Sequence, residues 1–179
     1  MSLQDADFIA RVLVQGDERA FGELVKRHQS SVRNFLRTWL HGDEATADDL
    51  AQETFLKAYR HLNQFSGQSQ FSTWLYKIAY NEFRAWARRT RPHEDIDQLA
   101  HEPSEESAQS SRDFRHDLQR AMRHLSLDER TAIVCCAMQG MTHQEASDVL
   151  GWPLGTVKTH LSRGKEILRN KLAEWSTGG

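Results

Sequence analysis

Cysteine, proline and long apolar runs are all scarce in this chain of 179 residues, and each scarcity removes a class of protein. The only cysteines, Cys135 and Cys136, are adjacent. Neighbours in sequence cannot staple distant segments, and no Cys-x-x-Cys spacing is present to hold zinc. A disulfide scaffold and a zinc module are excluded, and a reduced, cytoplasmic setting is expected. The longest apolar run, from Ala132 to Met138, falls far short of the about 20 residues that cross a bilayer. The start, Met1-Ser2-Leu3-Gln4-Asp5, has no basic stretch before an apolar core, so neither a secretory leader nor membrane insertion is expected. Three prolines and 10 glycines leave long stretches uninterrupted, and apolar residues recur every three or four positions rather than alternating. The expected fold class is all-α. Charge of one sign is lacking too: 23 Lys and Arg against 25 Asp and Glu leave a net charge of -2. That balance argues against a protein that coats nucleic acid, but the charges are unevenly placed.

The first half reads as four helices over 5–14, 18–40, 45–62 and 71–89, the first two separated by Gly16-Asp17 as a C-cap and an N-cap. From 92 to 112 the apolar period disappears among acids, serines and Pro103, the composition of a flexible acidic linker. The expected organisation is therefore a helical domain over 1–91, a linker over 92–112 and a second small helical domain over 113–179. In the last, Ser126-Leu127-Asp128-Glu129 and Thr142-His143-Gln144-Glu145 are capping boxes, each opening a helix. Gly151-Trp152-Pro153 makes a tight turn, and a final helix over 155–175 places Val157, Leu161, Gly164, Leu168 and Leu172 on one stripe.

Three surfaces carry chemistry. From Pro153 to Leu172 there are five Lys or Arg (158, 163, 165, 169 and 171) against one acid, Glu166. Lys158, Thr159, Ser162 and Arg163 lie outside the apolar stripe near the start of the last helix. Two short helices joined by a glycine turn, the second presenting basic and hydroxyl side chains, suit a DNA major groove; a solvated basic face is the plainer reading. In the third helix, five acids fall between Asp43 and Glu53 with no Lys or Arg. Ala47, Leu50, Ala51, Thr54, Phe55, Ala58 and Leu62 form its buried stripe, while Asp49, Gln52, Glu53 and Leu56 point elsewhere. This second stripe fits a protein interface with a polar rim, an ordinary solvated face, or half of a metal site at i, i+4. The fourth helix puts Lys77, Asn81, Arg84 and Arg88 on one face beside Tyr76 and Tyr80, with Phe71, Trp74, Leu75, Ile78, Phe83 and Trp86 available for a core. Cations that track phosphates next to rings that stack on bases suit single-stranded nucleic acid. The glycine-containing loop over 65–71 could pocket an unstacked base.

Together, Gly16-Asp17-Glu18-Arg19-Ala20-Phe21, the run from Ala47 to Tyr59, Phe65-Ser66-Gly67 with the run from Phe71 to Ala79, and the run from Pro153 to Lys165 resemble a bacterial RNA polymerase sigma factor of the extracytoplasmic-function group (ECF, group IV). The resemblance covers nearly the whole chain. It implies a region 2-like bundle and a region 4-like helix-turn-helix, with core RNA polymerase and promoter DNA as partners. It would dock the third helix on core polymerase through Asp48, Asp49, Gln52, Glu53 and Leu56. Phe65, Ser66, Gly67, Gln68, Phe71, Trp74, Lys77, Asn81, Arg84 and Arg88 would open and hold the non-template strand of the -10 element. Thr156, Lys158, Thr159, Ser162, Arg163 and Lys165 would read the -35 duplex. Gln68 is a departure, since many relatives carry an acid there. The acidic linker would thread the polymerase's RNA exit path. Family members are commonly held inactive by an anti-sigma factor, often membrane-bound. The resemblance implies binding without catalysis, and neither metal nor cofactor.

Overall fold

The computed structural model describes residues 3–40, 43–90 and 114–177. The expected linker over 92–112 lies outside these residues. The fold is all-α, with no strand among the described residues. Two compact units divide the chain, the first Met1–Thr90 with Asp148–Gly151 and the second Arg91–Ser147 with Trp152–Gly179.

The first unit holds α1 (Leu3–Gln15), α2 (Glu18–Arg37), α3 (Glu44–Arg60) and α4 (Phe71–Thr90), with a 3-10 turn at Leu62–Gln64. Helices α2, α3 and α4 pack on one another, and α1 lies along α2. Asp17 caps α2: its Oδ1 accepts from the amides of Arg19 (3.0 Å) and Ala20 (3.2 Å). Its Oδ2 accepts from Arg11 of α1 at 2.6 Å, so one carboxylate orders both helices. Asp43 does the same for α3, accepting from the Thr46 amide at 3.0 Å and its hydroxyl at 2.6 Å. The Arg11 hydrogen bond first, then the Ala20 amide, holds the Asp17 carboxyl below its ordinary value. Thr46 does so for Asp43, chiefly through its hydroxyl.

The seven apolar-stripe positions expected on and after the third helix, from Ala47 to Leu62, are all buried. Each Leu or Phe among them contributes about 1.5–3 kcal/mol through burial. Helix α2 stops three residues before its expected end, because the Trp39 amide bonds the Leu36 carbonyl at 3.1 Å and tightens the chain into a turn. Trp39 leaves the helix but not the core: it is 1% exposed, edge-on to Phe35 at 4.5 Å and stacked on Phe83 at 5.0 Å. The expected roles of α4's rings are partly exchanged. Tyr76 and Tyr80, placed by spacing beside the basic face, are core residues packed on Phe35 and Trp39. Trp74 and Trp86, placed in the core, are only half-buried.

The second unit holds α5 (Phe114–Met122), α6 (Leu127–Ile133) continuing into a π-helical turn (Val134–Met138), α7 (His143–Leu150) as far as Ser147, and α8 (Leu154–Thr177). Helix α5 was not anticipated; its short apolar pattern has no capping box to mark it. Both expected capping boxes form. The Ser126 amide donates to Glu129 Oε2 (3.0 Å) and the Glu129 amide to Ser126 Oγ (3.3 Å); the Thr142–Glu145 pair is equivalent at 2.9 and 3.1 Å. The helix that Ser126 opens does not stay α throughout. The Gln139 amide reaches the Val134 carbonyl, five residues back, at 2.9 Å, which inserts one residue into the last turn. Cys135 is buried on this turn and Cys136 half-buried, and burial pushes both thiols up. The core gathers Leu125, Ala132, Ile133 and Leu161, with Met122, Trp152, Ile167 and Leu168 against it. Helix α8 crosses α6 at Gly164. A Cβ there would lie 2.9 Å from Ile133 Cγ1 and 3.3 Å from the Glu129 carbonyl, so hydrogen is what the close approach requires.

Candidate functional site

Burial on one side of α3 fixes what the other side presents. With Leu50, Ala51, Thr54, Phe55 and Ala58 turned inward, Asp49, Gln52, Glu53 and Leu56 are all exposed, Leu56 by 49%. A leucine half in water beside two carboxylates and an amide is a small apolar anchor inside a polar rim. Asp49 and Glu53 make no ion pair among the described residues. Asp48 differs: its Oδ1 lies 3.1 Å from Arg33 Nε, so it helps fasten α3 to α2. Among the described residues, no group of three or more His, Cys, Asp or Glu is placed to hold a metal ion.

The second surface is the outer face of α4 with the loop before it. Lys77, Asn81 and Arg88 are exposed, while Arg84 is half-buried with its guanidinium carbon 5.8 Å from the Tyr80 ring centroid. Glu82 faces the other way, buried, and accepts from Lys57 of α3 at 2.6 Å. In the loop, Ser66, Gly67 and Gln68 are exposed. Gly67 has φ 73°, a left-handed conformation that costs a side-chain-bearing residue, although no atom crowds its Cβ position. Phe65, Phe71 and Trp74 form a closed triangle with centroids 5.4–5.7 Å apart. Phe65 and Trp74 are half-buried, but Phe71 is 1% exposed. Phe71, available for the core by spacing and assigned to the -10 site by resemblance, is covered by the other two rings and the core and does not present its ring outward. It supports them instead.

The third surface lies on α8. Lys158, Thr159, Ser162, Arg163 and Lys165 are exposed and Thr156 is half-buried, opposite the buried Val157, Leu161 and Gly164. Thr159 Oγ1 donates to the Gly155 carbonyl at 2.9 Å. Its proton is therefore engaged, which leaves the exposed hydroxyl oxygen as an acceptor. The Gly151-Trp152-Pro153 turn is set by Ser147, whose hydroxyl donates to the Trp152 carbonyl at 2.6 Å. His160, on which sequence reasoning placed no role, stands between the Thr159 and Ser162 positions but turns inward. Its Nε2 lies 3.6 Å from Asp128 of α6 and its ring 5.5 Å from Trp152. A histidine inside a basic run gives no sequence signal that its side chain points back to the core.

These three surfaces are an exposed apolar-acidic stripe, a ring-lined loop beside a cationic helix, and a basic helix-turn-helix. Comparison with known proteins joins them. Sigma-70 region 2 matches residues 24–93 and Sigma-70 region 4 matches residues 115–168. The chain is 30% identical to an ECF RNA polymerase sigma-E factor of Haemophilus influenzae, over 95% of this chain and 96% of the relative. It is 32% identical to the sigma-E factor of Escherichia coli K12, over 95% of each. Two solved structures are similar. The sigma factor RpoE in complex with the anti-sigma factor NepR from Bartonella quintana aligns with TM-score 0.68 at 25% identity, covering 86% of this chain and 96% of that one. CnrH in complex with the cytosolic domain of CnrY gives 0.62 at 26%, covering 96% of each. The chain belongs to the ECF sigma factors, the transcription initiation factors that bring RNA polymerase to promoters.

Proposed function

We propose that this sigma factor works by binding alone, dividing promoter recognition between its two helical domains, 1–91 and 113–179, with 92–112 as the linker. Asp49, Gln52, Glu53 and Leu56 dock on core RNA polymerase, with Asp48 bracing the helix that carries them. Phe65, Ser66, Gly67, Gln68, Trp74, Lys77, Asn81, Arg84 and Arg88 capture the non-template -10 strand, over a floor made by Phe71. Thr156, Lys158, Thr159, Ser162, Arg163 and Lys165 read the -35 duplex. The observation that carries the reading is the exposed apolar-acidic stripe on α3, in a chain whose α8 exposes Lys158, Thr159, Ser162 and Arg163. The first needs a protein and the second a polyanion.

Energy supports dependence on polymerase. Opening DNA costs about 1.4 kcal/mol per base-pair step, while each base stacked on a ring returns about 1–3 kcal/mol. One ring-lined loop offsets the opening of a pair or two, and polymerase contacts must supply the rest. Because NepR is described as an anti-sigma factor bound to a chain of this fold, regulation by an anti-sigma factor that covers the docking stripe is part of the proposal. So is action in the cytoplasm; no helix among the described residues is long and apolar enough to cross a membrane.

Reconstituted transcription with core polymerase on a library of promoters tests the reading. The wild-type chain should select a subset with defined -35 and -10 sequences. Asp49→Ala with Glu53→Ala should abolish that selection by removing holoenzyme assembly. Unselective transcription, or full assembly by the double variant, would contradict it.

A further inference from the structure

Helix α1 takes no part in the functions above, yet it carries a buried charge. Asp5 is 5% exposed and faces two residues of α2: Arg27, whose Nε lies 3.2 Å from Oδ1, and His28, whose Nε2 lies 3.4 Å from Oδ2. Burying a carboxylate is costly unless cationic or hydrogen-bonding groups meet it, so this placement constrains α1 against α2. The constraint continues beyond α2. The half-buried His28 ring meets the Phe71 ring edge-to-face at 5.4 Å. Phe71 is the floor of the triangle it makes with Phe65 and Trp74, and Phe65 opens the loop that holds Gly67. An unbroken series of contacts thus runs from the carboxylate of Asp5 to the rings proposed to receive an unstacked base.

We infer that Asp5 and His28 are positioning residues for the -10 strand site. Asp5 fixes the tilt of the His28 imidazole, and that edge fixes Phe71, which has no polar group of its own to orient it. Edge-to-face pairs are sensitive to ring angle. When the imidazole is released, Phe71 gains freedom and the half-buried Phe65 and Trp74 rings above it are held less firmly for a base to stack on. The inference rests on the proposed role of the 65–71 loop. A cluster that merely pins α1 to the bundle would instead loosen the whole first unit, including the α3 docking stripe.

The two cases separate in holoenzyme assembled with full-length Asp5→Asn, His28→Phe and the double variant. The probe is a fluorescein-labelled oligonucleotide with the non-template -10 strand of the strongest promoter from the library above. Each single substitution should weaken oligonucleotide binding about five- to tenfold while affinity for core polymerase moves by less than about twofold. The double variant should be no weaker than the worse single, because both changes cut one link. Unchanged oligonucleotide binding would overturn the inference. So would core affinity falling in step, or effects that multiply in the double variant. A wild-type holoenzyme that ignores the oligonucleotide would defeat the -10 reading itself, and this inference with it.

Discussion

On α8 the proposed DNA-reading residues are cations and hydroxyls, all exposed but the half-buried Thr156, on a helix whose inward side is Val157, Leu161 and Gly164. On α4 and the loop before it, they grade from the exposed Lys77 and Asn81 into the half-buried rings of Phe65 and Trp74, with buried Phe71 beneath. On the proposed reading, the two faces answer two states of DNA. A duplex offers phosphates and base edges to a rigid helix that need not change. A single strand offers flat faces, and holding one requires rings already spaced for it. The first face should behave as an electrostatic surface and the second as a packing surface.

The largest effect expected from breaking that contrast comes from Trp74→Ala. Removing one wall of the triangle should cost holoenzyme up to about 3 kcal/mol on single-stranded -10 DNA, read by fluorescence anisotropy, and leave the salt slope of binding unchanged. Next comes Arg163→Ala, which should cost about 1–3 kcal/mol on -35 duplex and flatten the logarithmic salt slope by about 1. If Trp74→Ala altered the slope and Arg163→Ala did not, the contrast would be reversed. A smaller effect sharpens the α8 side: Gly164→Ala should destabilise the protein by about 1 kcal/mol in urea unfolding. The gain in helix propensity is outweighed by the displacement forced on Ile133. A stabilised variant would show that the α6–α8 crossing is loose.

The smallest effect is in acid. Arg11 and the Ala20 amide hold Asp17 below its ordinary value of 3.8, and Thr46 does the same for Asp43. Both carboxyls bind protons more weakly folded than unfolded. The stability they contribute is therefore full above the ordinary value and is lost as pH falls through the lowered one. Asp17→Asn should reduce stability at neutral pH and flatten its decline in acid, measured by urea unfolding across pH. An unchanged acid limb would remove Asp17 as a contributor.

Most of the first unit was legible because period and burial agree along α3. Every inward position from Ala47 to Leu62 is covered, and every outward position from Asp49 to Leu56 is in water. The capping boxes at Ser126 and Thr142 were legible because each is a local bargain between a side chain and an amide three residues away. What failed depends on partners distant in sequence. Tyr76 and Tyr80 lie inward because Phe35 and Trp39 meet them, which spacing along α4 alone does not reveal. Phe71, which spacing made available for the core and the resemblance assigned to the -10 site, is covered by His28 and by the other two rings. The π-helical turn, His160's inward pairing with Asp128, and the Asp5–His28 contact have no periodic signature at all.

The central claim is that neither DNA-reading face suffices without polymerase. An electrophoretic shift on the duplex promoter chosen from the library, at physiological salt, compares the free chain with the holoenzyme. The holoenzyme should give a sequence-specific shift, and the free chain only weak binding that a mutated -35 element leaves unaltered. Tight binding by the free chain that discriminates promoter from mutated DNA would contradict the account.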